Sequence, residues 1–303
     1  MHIPDGFLST PVWLGLDLAA AAAVGLVARK AERGATQDIA PRLGVLGAFI
    51  FAAQMINFPV AAGTSSHLIG GALLTAAVGP VGASLVLTAI LAIQALVFQD
   101  GGLLALGANI INMAVIGVLT AAIPLRYFPG RAGLFAAGAS SVFAASSLSI
   151  TELRLSGVPV SAGILQAALV VFLLSAIMEG LITVAVMGAI ERIHPEWAGA
   201  NGAAGRERRV LGALGVTAIV LSSAGALLAS SLPDGLESLA ARLGIDGRAY
   251  ALLAAPLADY EWSAIPNQPL SKVAAGLCGL ALVYIGCRLA VTLASRRAGG
   301  NGR

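Results

Sequence analysis

Runs of apolar residues long enough to cross a lipid bilayer follow one another along most of this chain, and they decide the fold class before any motif is considered. Between Arg42 and Asp100 the sequence holds no Asp, Glu, Lys or Arg. Charged residues make up 11% of the 303 positions and hydrophobic ones 58%, whereas a soluble domain carries about 25% charge. Inside hydrocarbon no water satisfies backbone N–H and C=O groups, so such runs become helices or the strands of a closed barrel. A membrane barrel shows alternation over ten-residue segments, and the sequence has none. Gly, Ala, Val and Leu dominate, and small side chains let helices approach closely. The expectation is an all-α membrane protein, a polytopic helical bundle.

Nine spans are expected. A seven-span core occupies about 8–28, 43–60, 68–78, 81–98, 104–123, 132–148 and 162–190, and two C-terminal transmembrane helices occupy about 210–228 and 273–292. The third span is shorter than the roughly 20 residues a straight crossing needs. It lies between Gly70-Gly71 and Gly79-Pro80, and such interrupted segments line protein-buried sites. Of the 18 Lys and Arg, all but Arg154, Arg242, Arg248 and Lys272 fall on one side of this topology. Positive residues mark the cytoplasm, which places the protein in the cell's inner (plasma) membrane with its N-terminus outside and its C-terminus cytoplasmic. The stretch Thr151–Pro159, with Glu152 and Arg154, is then an outer loop.

The net charge of +3 is topology information, so the expected surroundings are a lipid bilayer and no nucleic acid. Residues 1–195 read as a membrane core. Residues 196–209 read as a hydrophilic cytoplasmic linker, and 210–303 as a two-helix domain around a long outer loop. No basic residue precedes the first apolar run, so no cleavable signal is expected and Met1 is expected to be retained. Cys278 and Cys287 share one span without a CxxC pairing and read as small buried apolar residues.

Few side chains remain to carry chemistry. Of the three histidines, His194 reads as a solvated loop residue, while His2 and His67 fall on the outer side among turn-forming residues. Imidazole suits nickel, copper, cobalt and zinc. A terminal amine at Met1 adds a nitrogen, and His2 adds its ring and its amide nitrogen. Fused chelate rings of this kind favour the planar geometry of Ni(II) or Cu(II), and His67 would close a four-nitrogen set. Pro4-Asp5-Gly6 reads as a tight turn that folds Met1 and His2 back into the bundle. On residues alone two readings stand, a metal site or two histidines that never meet. Asp17 and Glu179 lie within spans, as functional ionisable groups or as groups that pair helices. Glu237, Asp259 and Glu261 give the outer loop acidic side chains that either gather cations or face solvent.

The opening Met1-His2-Ile3-Pro4-Asp5-Gly6-Phe7-Leu8-Ser9 is followed in order by several further motifs. They are Asn57-Phe58-Pro59-Val60, Gly63-Thr64-Ser65-Ser66-His67, Gly79-Pro80, Gln94-Ala95-Leu96, Asp100-Gly101-Gly102 and Leu106-Gly107-Ala108-Asn109. On these motifs residues 1 to 195 resemble the CbiM/NikM family. Its members are the substrate-specific (S) components of energy-coupling-factor transporters for cobalt and nickel, tied to cobalamin biosynthesis. The last third, through Pro233-Asp234-Gly235-Leu236-Glu237, resembles the small NikN/CbiN partner of the PDGLE variety, fused to the core.

The resemblance implies capture of Co²⁺ or Ni²⁺ as transported substrate, with no catalytic cofactor. Its ligands would be the Met1 amine, the amide and imidazole nitrogens of His2, and the imidazole of His67. It implies a membrane coupling (T) subunit of the CbiQ/NikQ type and cytoplasmic ATP-binding subunits of the CbiO/NikO type. Ligating histidines need partners that fix tautomer and orientation, and Gln54, Asn57, Thr64, Ser65, Ser66, Asn109 and Asn112 are the candidates. The chain contains no G-x-x-x-x-G-K-[ST], so it is not the ATPase, and no enzyme activity is expected. The alternative is a stand-alone secondary metal-cation transporter with Asp17 and Glu179 as a relay.

Overall fold

The computed structural model describes residues 1–32, 40–194, 204–225, 227 and 229–300. Helices α1 (Thr10–Glu32) and α2 (Ala40–Gln54) are followed by an antiparallel hairpin, β1 (Phe58–Ala61) and β2 (Thr64–Ser66). Helix α3 (Gly71–Ile93) runs on as a π turn over Gln94–Phe98. Helix α4 (Leu106–Tyr127) has π geometry over Ile110–Gly117. Next come α5 (Gly130–Leu155), α6 (Ala162–Ile193), α7 (Ala204–Val220), the short α8 (Gly235–Leu243) and α9 (Gln268–Gly300). Six stretches among the described residues are long and apolar enough to cross a membrane: Thr10–Glu32, Gly71–Phe98, Leu106–Tyr127, Gly130–Leu155, Ala162–Ile193 and Gln268–Ala290. The protein is a multi-pass, all-α membrane protein, as its composition requires.

Helix α3 is not straight. Gly79 takes φ 74° and ψ 168°, a conformation open in practice only to glycine, and Pro80 has no N–H to continue the first half. A β-carbon at Gly71 would lie 3.6 Å from Leu87 Cδ1, whereas in an unbroken helix these positions stand about 24 Å apart. The two halves therefore fold back on each other, matching the short third and longer fourth spans read from the sequence. The Arg42 guanidinium donates to the carbonyl of Ala77, 2.6 Å away near the turn. Elsewhere glycine sets how closely helices meet. A β-carbon at Gly138 of α5 would lie 2.7 Å from Gly180 Cα of α6, so backbone packs on backbone there.

Several sequence-based boundaries move. Helix α2 ends at Gln54 rather than near Val60, because the segment before Pro59 disfavours helix and pairs as β1 instead. Helix α5 continues through the expected Thr151–Pro159 loop as far as Leu155, so Glu152 is a buried helix residue, 2% exposed. His194, expected in solvent, follows the last turn of α6 and is 2% exposed. Within the expected 196–209 linker, the described part from Ala204 onward is already α7. The rest of it lies outside the described residues.

Candidate metal centre

The N-terminal segment is threaded into the bundle, and the Pro4-Asp5-Gly6 turn explains how. The Asp5 carboxylate accepts the backbone N–H groups of Leu103, Leu104 and Ala105 at 2.8–3.1 Å, just ahead of α4. Those donors have no helical acceptor of their own, so the turn and the helix start satisfy each other. Ile3 N–H donates to Asn109 Oδ1 at 2.8 Å, and Asn109 Nδ2 donates back to the Ile3 carbonyl at 3.1 Å. Gly102 N–H donates to the same carbonyl at 2.9 Å. Ile3, Phe7 and Leu8 are buried apolar anchors. Met1 then points inward, its sulfur 3.3 Å from Ser146 Oγ on α5.

His67 arrives from the other side, directly after β2, and is 7% exposed. Its Nδ1 lies 3.0 Å from the carbonyl of Leu68. A carbonyl accepts only, so Nδ1 carries the ring proton and Nε2 presents its lone pair. The Met1 amine sits 2.6 Å from that Nε2. The His2 ring stacks on the His67 ring, with centroids 5.4 Å apart and planes 4° from parallel. Its Nδ1 faces Asp100 Oδ1 at 2.9 Å, and its Nε2 is buried without a hydrogen-bond partner among the described residues.

Two carboxylates complete the cluster. Asp100 accepts from Tyr260 Oη at 2.5 Å as well as facing His2. Asp234 is the N-cap of α8: its Oδ1 accepts the N–H groups of Leu236 and Glu237, and Glu237 accepts in return from the Asp234 N–H. The other oxygen, Oδ2, accepts from the Met1 amine and lies 3.9 Å from His67 Nε2. A cavity of about 680 Å³ adjoins the cluster, lined among others by His2, His67, Asp100, Asp234, Glu237 and Tyr260.

The electrostatics follow from burial and charge. Burial, then the positive charges of the N-terminus and His2, lower His67 to about 3, so it is neutral. Burial alone would raise Asp234, but the N-terminal charge and His67 outweigh it and hold the carboxyl at about 2. Asp100 behaves alike: His2 and Tyr260 overcome its burial and keep it well below the usual carboxylate range. Burial and the Asp100 charge push the Tyr260 phenol well above its usual value. Burial, with Asp234 beside it, raises Glu237. Among the described residues no three His, Cys, Asp or Glu side chains converge as a ligand set.

Met1, His2 and His67 are thus together, as the sequence suggested. None of the seven expected partner residues bonds to an imidazole. They brace the surrounding backbone instead. Gln54 Nε2 donates to the Ile69 carbonyl at 2.8 Å, and the Asn57 carbonyl accepts from Ser230 N–H at 2.8 Å. Thr64 Oγ1 meets Ser238 Oγ at 3.1 Å, and Ser65 Oγ donates to the Leu232 carbonyl at 2.7 Å. Ser66 pairs with Phe58 in the hairpin. Asn109 holds Ile3, and Asn112 Nδ2 donates to Ser149 and Glu152. The imidazole partners are Asp100 and the Leu68 carbonyl, which sequence reasoning missed, along with Asp234 and Tyr260. Asp100 and Asp234 each stood within a quoted motif, but 233 residues separate Asp234 from Met1 and nothing in the sequence joins them. Asp17 and Glu179 each accept backbone N–H groups: Asp17 from Gly107 at 2.8 Å, Glu179 from Ile69 and Gly70 at 2.8 and 2.7 Å.

Fold and site together define a multi-pass membrane protein organised around a buried cluster of nitrogen donors, the architecture of a membrane component that handles a transition-metal ion. Residues 2–197 match the family described as cobalt uptake substrate-specific transmembrane region, CbiM, and residues 208–296 match the PDGLE domain. The chain belongs to the CbiM family, with a PDGLE domain after the family region. It is similar to the fused nickel transport protein NikMN of Rhodobacter capsulatus, 28% identical over 99% of this chain and 100% of that protein. It is also similar to the cobalt transport protein CbiM 1 of Pelobacter propionicus, 35% identical over 69% of this chain and 99% of that protein. A crystal structure of a truncated transition metal transporter superposes with a TM-score of 0.57 at 30% identity, over 63% of this chain and 99% of that one.

Proposed function

We propose that this protein is the substrate-binding membrane component of an energy-coupling-factor importer that takes up Ni²⁺ or Co²⁺. The 2.6 Å approach of the Met1 amine to His67 Nε2, with the His2 ring stacked alongside, carries the reading. Two nitrogens this close suit neighbouring positions on one ion with metal–nitrogen bonds of about 2 Å. His2 would add its amide and imidazole nitrogens, the ring exchanging its Asp100 contact for the ion. Neutral nitrogen donors suit a transition ion, whereas Mg²⁺ and Ca²⁺ want oxygen. Relatives named for nickel and for cobalt both support this substrate class.

In this reading the N-terminus and His67 face outward and the C-terminus is cytoplasmic, in line with the distribution of Lys and Arg. Residues 1–195 form the metal-binding core, 196–209 a cytoplasmic linker, and 210–303 the fused NikN-like part. A coupling subunit of the CbiQ/NikQ type and ATP-binding subunits of the CbiO/NikO type supply the energy from other chains. The commitment of Asp17 and Glu179 to backbone N–H groups favours a structural role for both over a relay.

Metal binding to purified protein tests the reading. One extra residue ahead of Met1, and separately His67→Ala, should each abolish nickel and cobalt binding. Undiminished affinity in both would sink it.

A further inference from the structure

We infer that Asp234, contributed by the C-terminal segment, is a positioning residue for the bound metal: it holds the terminal amine in place as a ligand and sets one negative charge against the ion. This rests on the reading of Met1, His2 and His67 as ligands.

The carboxylate is fixed before it meets the amine. Its Oδ1 is committed to the Leu236 and Glu237 N–H groups at 2.7 and 2.9 Å, and the Glu237 side chain closes the capping box. Only Oδ2 is left, and it faces the amine. The strand carrying His67 is stitched to the same segment. Ser65 N–H donates to the Pro233 carbonyl at 2.8 Å, and Ser65 Oγ to the Leu232 carbonyl at 2.7 Å. His67 and Asp234 therefore stand on neighbouring backbones with a fixed separation, Nε2 to Oδ2 being 3.9 Å, and the amine sits against both.

The charged amine releases one proton when it gives its lone pair to a metal and keeps two N–H bonds, so one of them can still donate to Oδ2 after the ion enters. A contact of this kind orients a ligand and raises its donor strength. Charge points the same way. The other donors in this reading are nitrogens, and a buried cation needs an opposing charge. Asp234 is the carboxylate in contact with the amine, while Asp100 faces His2 Nδ1. The PDGLE segment thus supplies part of the metal site rather than merely covering it.

The test uses the full-length chain in detergent with an unmodified N-terminus and NiCl₂ as probe. Calorimetry gives affinity, and visible absorption reports on the bound Ni²⁺. Asn caps helices as well as Asp does, so Asp234→Asn keeps α8 while it removes the charge and puts an N–H donor where Oδ2 accepted from the amine. The expected result is Ni²⁺ binding weakened roughly 10–100-fold, with the Ni²⁺ absorption band kept at saturation and affinity partly restored by Asp234→Glu. A purely capping role predicts wild-type affinity for Asp234→Asn. That result, with binding lost in His67→Ala, would overturn the inference and leave the ligand assignment standing. Wild-type affinity in His67→Ala would overturn the assignment itself.

Discussion

Glu179, in the middle of α6, accepts the N–H of Gly70 at 2.7 Å and, through its other oxygen, that of Ile69 at 2.8 Å. One buried carboxylate thus fastens the chain two and three residues beyond His67 and satisfies orphan donors at the start of α3.

Replacing Glu179 with alanine should leave those two N–H groups unsatisfied inside the bundle. The expected loss is about 1–3 kcal/mol for each, read as a lower unfolding temperature in detergent. Gln offers one acceptor where two are needed, so Glu179→Gln should fall between wild type and alanine. Both should weaken nickel binding through His67. A Glu179→Gln protein with wild-type melting and wild-type affinity would refute this.

Gly6 has φ 95°, and a β-carbon there would stand 2.0 Å from the carbonyl oxygen of Arg248. Gly6→Ala should therefore eject the N-terminal turn from its seat, at a cost of about 1–3 kcal/mol for the backbone conformation alone. The helices should stay folded while Met1 becomes open to amine-reactive reagents and metal affinity falls at least about tenfold, the order expected when a ligand loses its support. An unreactive amine in the folded variant would count against the threaded turn.

Acid should weaken the metal-free protein in two stages. His67 falls from an ordinary value near 6.5 to about 3 on folding, so the unfolded chain binds its proton more readily. The corresponding stability is complete above pH 6.5 and lost as pH falls toward 3. Asp234 is held at about 2 against an unfolded value of 3.8. Its contribution is present above pH 3.8 and lost as pH falls through 2. Denaturation followed from pH 7 to pH 2 should show His67→Gln flattening the upper part of this decline and Asp234→Asn the lower part. Curves parallel to wild type would contradict the assigned environments.

The two levels of the structure were unequally legible in the sequence. Apolar runs predict helices because the bilayer leaves the backbone no other partner, and Gly79-Pro80 marks a reversal because only those residue types permit it there. On residues alone the meeting of Met1, His2 and His67 stood as one of two readings, and the resemblance of their motifs to a known family singled it out. Asp100 and Asp234 stood within quoted motifs, but their contacts with His2 and the Met1 amine depend on which loops meet, which the sequence does not show. Glu152 was misplaced because a single charge near a span's end resembles a loop, while in the fold Asn112 shelters it. His194 was misplaced likewise, since burial depends on what packs over a helix end.

The reversal at Gly79 also has a mechanical side. Its first limb begins four residues after His67, and its second, with the π turn, ends two residues before Asp100. His67 and Asp100, one a member of the stacked pair and the other the partner of His2, thus both hang from one folded-back pair of helices. The distance between their two attachment points is therefore set by how closely the limbs pack on each other, as where Gly71 lies against Leu87.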